Sequence, residues 1–210
     1  MKKLLILDLD NTIFDTRTIS RKEVESLFKN FEVVAIAEYG VEKTEEIIAE
    51  FWHDSFDVVA KKYQFPQQLI TEFENALNKT HFELDIQPFA DFELIKNIEH
   101  DKILVTTGFK KFQESKINSL GIESIFSRIY IDDILSPERT SKKHIFNQIL
   151  KEQSYLPKQI IVIGDKSESE LKAGFELGFT TIQVSKMGQS RSEYSDYAIS
   201  DFAELAGILS

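Results

Sequence analysis

Apolar residues fall along the chain in two kinds of pattern. "KKLLILDLD" near the N-terminus, "DKILVTTG" at 101–108, "QIIVIGD" at 159–165 and "TTIQVS" at 180–185 are short apolar runs that end in polar residues. Runs of that length, apolar at consecutive positions, predict strands of a parallel sheet covered on both faces. Between them the spacing turns helical: "FQESKINSLGI" stops at Gly121, "SKKHIFNQILKE" lies ahead of Pro157, and "SESELKAGFELG" stops at Gly178. Strand and helix in alternation predict an α/β fold, a Rossmann-like parallel sheet with helices on both faces. Sites in such sheets form at the carboxyl ends of the strands, where Asp8, Thr106 and Asp165 all stand.

Residues 17–84 break this rhythm. Val24, Leu27, Phe28 and Phe31 fall at helical spacing, as do Ile48 with Trp52, and Leu69, Ile70, Phe73 and Leu77, with Gly40 and Pro66 as punctuation. No strand pattern occurs there, and a helical stretch of roughly 65 to 70 residues is far longer than an ordinary crossover. It reads as an inserted all-α cap at 17–84 on a core made of 1–16 and 85–210, joined at about 16–20 and 82–88. Phe28, Phe31, Phe51, Trp52 and Phe56 read chiefly as the cap's own packing, with one or two facing a substrate.

Composition narrows the function. With 35 acidic against 25 basic residues, the net charge of -10 argues against a nucleic-acid or anionic-membrane partner, though not against a small anion held locally. The absence of cysteine excludes disulfides, thiol catalysis and thiolate zinc sites. The apolar run before Asp8 is too short for a signal peptide and no stretch approaches a membrane span, so a soluble cytoplasmic protein is expected. His53, His81, His100 and His144 are scattered without metal-ligand spacing.

The chemistry begins with "DLDNT". Asp8 and Asp10 are two apart, so in an extended chain they share a face and repel unless something positive lies between them. "DLDNT" at 8–12, "LVTTG" at 104–108, "SKKHIF" at 141–146 and "VIGDKSESEL" at 162–171 occur in the order of the motifs of the haloacid dehalogenase-like superfamily, which the whole chain resembles. The helical insertion after the first motif is similar to that family's C1-type cap.

The resemblance implies a Mg2+-dependent phosphomonoester hydrolase acting on a small phosphorylated metabolite. Asp8 would attack phosphorus to give an aspartyl-phosphate. Asp10 would protonate the leaving alcohol and then activate water, with its backbone carbonyl at the metal; the neighbouring Asp8 favours the protonated form that the acid role needs. The dehalogenase branch lacks this second Asp, so Asp10 points to phosphate rather than halide. Thr106 would donate its hydroxyl to a phosphoryl oxygen within the substrate-binding turn Thr106, Thr107 and Gly108. Lys142 or Lys143 would neutralise the transferring group, with spacing to Phe146 favouring Lys142. Asp165 and Glu170 would complete the Mg2+ ligands with Asp8 and Asp10, Ser169 standing in the outer shell.

Two departures from the common pattern stand out: the usual Gly-Lys-Pro context of the lysine is replaced by "SPERTSKKHIF", and the second acidic residue is Glu rather than Asp. Asp15 matches a frequent family position at the cap hinge, and capping of the next turn explains it equally well. Two other functions fit the motifs: a sugar phosphomutase of the same superfamily, and a non-enzymatic phosphate-sensing protein holding an aspartyl-phosphate.

Overall fold

The computed structural model describes residues 2–51, 56–136 and 138–209; Trp52 and His53 lie outside them. Six parallel strands form one sheet in the order β3-β2-β1-β4-β5-β6. They are β1 (Leu4–Leu7), β2 (Asp101–Gly108), β3 (Arg128–Asp133), β4 (Ile160–Gly164), β5 (Thr180–Val184) and β6 (Tyr197–Ile199). The four strands expected from apolar runs are β1, β2, β4 and β5. β3 and β6 are additions. β3 is mostly half-exposed at one edge and β6 is three residues at the other, so neither carries the continuous apolar signature of a central strand.

Alternation along β1 divides the core into two layers. Leu4 and Ile6 point to one face with Ile103, Val105 and Val162, where they meet Ile145, Phe146 and Ile149 of α7 (Lys142–Glu152). Leu5 and Leu7 point to the other with Leu104, Ile161 and Ile163. There they share a core with Ile95 of α5 (Phe92–Lys96), Ile117 and Leu120 of α6 (Lys110–Leu120), and Leu205 of α9 (Leu205–Leu209). Gly121 ends α6 in the left-handed conformation, φ 63°, which a glycine adopts without a Cβ penalty. α8 (Lys172–Glu176) runs tight against the sheet, since a Cβ at Gly174 would press on Val162 and Thr181.

Between β1 and β2 stands a helical block of α1 (Arg21–Tyr39), α2 (Val41–Glu50), α3 (Phe56–Lys62) and α4 (Gln67–Lys79), with no strand among its described residues. Its interior is aromatic: Phe31 meets Phe51, Phe65 and Phe73 at 5.3–5.6 Å between ring centres. The chain leaves and re-enters the sheet side by side, the Phe89 N–H donating to the Ile13 carbonyl at 2.8 Å. Glu23 ties the same junction twice, accepting from the Ser20 N–H at the start of α1 (2.6 Å) and from the Asp85 N–H on the returning segment (2.5 Å). Phe56 and Phe73 of the block also pack on Phe109, just beyond β2.

Candidate active site

β1 and β4 end within a residue of each other, Leu7 pairing with Ile163, while β2, whose Leu104 faces Leu7 on the other side, runs on to Gly108. The next residues therefore emerge together. The Asp8 N–H extends the ladder to the Ile163 carbonyl (2.9 Å), and Asn11, at φ 57°, then turns the chain away from the sheet. Asparagine tolerates that left-handed conformation better than most residues. Its Oδ1 holds the turn by accepting from the Thr16 N–H and hydroxyl.

Asp8, Asp165 and Glu170 converge, each offering a carboxylate oxygen within 4.8 Å of the others, and all three are buried. Asp165 follows β4 directly. Glu170 reaches back from a π-type turn, Ser167–Leu171, whose Ser169 departs from helical geometry; such turns recur at functional sites. The Lys166 N–H fixes Glu170 by donating to Oε1 at 2.7 Å.

One lysine closes the group. The Lys142 ammonium donates to Asp8 Oδ1 at 2.6 Å and to Glu170 Oε2 at 2.7 Å, buried with both. Ser141, just before it, holds a positive φ of 81°, strained for a non-glycine residue at the entry to α7. Lys143 points elsewhere: its ammonium pairs with Glu176 at 2.6 Å on the surface. Of the two lysines the sequence left open, the fold brings only Lys142 to Asp8, because adjacent residues at a helix start diverge by about 100°.

Electrostatics show a surplus of negative charge. Burial pushes Asp8 up to about 7 against the pull of Lys142, with Glu170 and Asp10 adding repulsion. Burial likewise pushes Asp165 up to about 8, with Asp8 and Glu170 reinforcing it. Burial opposes ionisation of Glu170 as well, but Lys142 and the backbone N–H groups hold it below the usual carboxylate range. Three ionised carboxylates against one ammonium leave two charges uncompensated in a nearly dry site. The donors are all oxygen. That set fits a hard divalent cation.

Asp10 stands apart from this cluster. Its Oδ2 accepts from Gln113 Nε2 at 2.8 Å and its Oδ1 from the Lys116 ammonium at 2.7 Å. Its charged contact is thus the Lys116 ammonium rather than another carboxylate. Its carboxylate is not among the three that converge, whereas the metal contact expected of Asp10 was its backbone carbonyl.

Thr106 is fully buried and its hydroxyl accepts from the same Gln113 amide, rather than facing the open space above Asp8. Thr107 and Gly108 do line that space, the Thr107 hydroxyl donating to Asp132 at 3.1 Å. Asp15 caps the turn at Thr16–Thr18 and chelates Arg17, which accounts for it without a hinge role. Gln113 and Lys116 were not anticipated. Both are buried polar residues within the apolar stripe of α6 that includes Ile117 and Leu120, and a polar pair at i, i+3 on an inward face was the available signal.

Gly164 is as constrained as the carboxylates around it. A Cβ there would overlap Glu170 Cγ, so Gly164→Ala should displace Glu170 without removing a carboxylate. We expect divalent-cation affinity to fall about 10- to 100-fold, as when a group that positions a ligand is lost. Calorimetric titration would measure it, and unaltered affinity would show that Glu170 is dispensable.

Over 113 residues the chain is 29% identical to a protein named glyceraldehyde 3-phosphate phosphatase in Methanocaldococcus jannaschii, an alignment covering 50% of this chain and 47% of that protein, so it spans about half the relative's length. It is 25% identical over 209 residues, 92% of each chain, to a Clostridium perfringens protein provisionally named the pyrophosphatase PpaX. In three dimensions it resembles a HAD phosphatase from Thermococcus onnurineus, with a TM-score of 0.66, 19% identity, and coverage of 100% of this chain and 98% of that one. The sequence profile of the family described as haloacid dehalogenase-like hydrolase matches residues 5–184, from β1 through the Asp8, Thr106, Lys142 and Glu170 motifs to the end of β5. The chain therefore belongs to the haloacid dehalogenase-like hydrolases.

Proposed function

We propose that the protein is a Mg2+-dependent phosphomonoester hydrolase in which Asp8 is the nucleophile, Asp10 the acid and base, and 17–84 the cap. The observation that carries this is the Lys142 ammonium seated between Asp8 and Glu170 with Asp165 alongside, a constellation drawn from three separate motifs. The relatives' names, both of enzymes that hydrolyse bonds to phosphate, support it.

Asp8, Asp165 and Glu170 would hold the metal, and Mg2+, when bound, supplies neutralisation of charge between the carboxylates and the phosphoryl group. An Asp8 oxygen attacks phosphorus as the P–O bond to the alcohol breaks, and Asp10 gives that oxygen a proton. Asp10, now ionised and held by Gln113 and Lys116, removes a proton from water, which attacks phosphorus and releases phosphate and free Asp8. Lys142 offsets charge on the transferring group.

Exhaustive chelation should abolish phosphate release and added Mg2+ restore it; turnover surviving chelation would contradict the metal role. The acid step predicts that Asp10→Asn slows an alkyl phosphate more than an activated aryl phosphate, and equal losses on both would remove Asp10 from that step.

The carboxylates also predict how stability varies with pH. Without metal, folded Asp8 and Asp165 keep protons that the unfolded chain has released, so the contribution of these two groups to stability is full below about pH 4 and is lost as pH rises toward about 8. Mg2+ competes with those protons, so its increase in melting temperature should be larger at pH 8 than at pH 5. A pH-independent increase would place the ion elsewhere.

A further inference from the structure

The phosphoryl chemistry uses only the floor of the cleft. Above it lies a space of about 780 Å3, within the range of pockets that hold drug-sized ligands and far more than a three-carbon phosphate fills. One wall is apolar, made by Leu27 and Phe28 of α1, Phe51 after α2, Phe73 of α4, and Phe109 and Phe112 beyond β2, while charged side chains such as Lys166 and Glu168 line the opposite side. Three of the ring pairs are near-parallel. Phe73 stacks on Phe56 at 4.4 Å and 20°, Phe56 on Phe51 at 5.6 Å and 14°, and Phe51 on Phe28 at 5.7 Å and 26°. The series runs from buried Phe73 and Phe56 to half-buried Phe51 and Phe28, which border the cleft.

Among the described residues, the polar side chains at residues 16–84 that line the cleft already have partners. Arg17 is chelated by Asp15, Asp57 pairs with Arg139, and the Thr16 hydroxyl donates to Asn11. A polyhydroxylated leaving group would give up water there and gain few hydrogen bonds in exchange. A flat ring would instead bury a face against the apolar wall and extend the aromatic series.

We infer that the leaving group is a planar aromatic or heteroaromatic ring carried on a short alkyl arm, with its phosphate at Asp8 and its ring against Phe28 and Phe51. The inference rests on the phosphatase reading and names the substrate class of that same site.

The test compares primary alkyl phosphates, so that leaving-group chemistry is matched: 2-phenylethyl phosphate and pyridoxal 5′-phosphate against glyceraldehyde 3-phosphate and ribose 5-phosphate, with Mg2+. The aromatic pair should show kcat/KM higher by about tenfold or more. Phe28→Leu and Phe51→Leu keep apolar bulk and hence the fold, and should narrow that ratio through KM. Equal or better hydrolysis of the sugar phosphates would overturn the inference while leaving the phosphatase reading intact.

A parallel calorimetric titration compares 3-phenylpropylphosphonate with 3,4-dihydroxybutylphosphonate, neither of which can be hydrolysed at the P–C bond. Tighter binding of the aromatic compound without turnover of any ester would defeat the phosphatase reading and with it the leaving-group assignment, leaving an aromatic binding site alone. Equal binding of the two would overturn the inference.

Discussion

Asp8→Asn should reduce phosphate release by on the order of 10^4-fold or more, because it removes the carboxylate proposed to take the phosphoryl group covalently. The substitution is nearly isosteric. It deletes a buried carboxyl that burial and its acidic neighbours already destabilise as an anion, and Lys142 keeps Glu170 as a partner. The fold should therefore persist, with the metal-free melting temperature at pH 8 unchanged or higher. Thermal melting and steady-state turnover on the same preparation separate the two effects. A folded Asp8→Asn variant that releases phosphate within tenfold of the parent would exclude Asp8 as nucleophile.

Lys142→Ala should have the second largest effect, a loss on the order of 10^3-fold in kcat/KM. The ammonium is the one positive side chain hydrogen-bonded to the carboxylate trio among the described residues. Without it, three carboxylates face one another in a buried site, and breaking such a pair by removing one partner costs about 3 kcal/mol. Metal-free protein should melt lower, and Mg2+ should recover part of the difference. Lys143→Ala is the control. Its ion pair with Glu176 is solvent-exposed, where such pairs contribute little, and activity should stay within about twofold of the parent. If Lys143→Ala were the damaging substitution, the assignment of the two lysines would be reversed.

The sheet's interior was legible because β1, β2 and β4 are apolar on both faces, the pattern a covered parallel strand requires, while β5 is apolar on the face of Ile182 and Val184. β3 and β6 were not, since edge position relaxes that demand. Asp8, Asp165 and Glu170 were readable from strand ends and motif order, because parallel topology brings strand ends together wherever they lie in the chain. Side-chain direction was not readable. Lys142 and Lys143 are chemically identical, and only the angle at which α7 leaves Ser141 separates a buried ammonium from a surface one. Gln113 and Lys116 were hidden for a related reason: their role depends on where α6 packs beneath Asp10, which no local pattern encodes. The Thr106 hydroxyl, expected at the phosphoryl group, is engaged by Gln113 for the same reason.

The central claim is that phosphate passes through Asp8 and leaves with the help of Asp10. The most direct measurement is a rapid acid quench of Asp10→Asn mixed with an activated aryl phosphate and Mg2+, followed by peptide mass analysis. The carboxamide that replaces the Asp10 carboxylate cannot activate water, while an activated leaving group needs no proton, so the phosphoenzyme should accumulate. The account predicts one hydroxylamine-sensitive phosphoryl group on the peptide containing Asp8, absent from the Asp8→Asn, Asp10→Asn double variant. Aryl alcohol released together with phosphate at equal rates, with no label on that peptide, would contradict it.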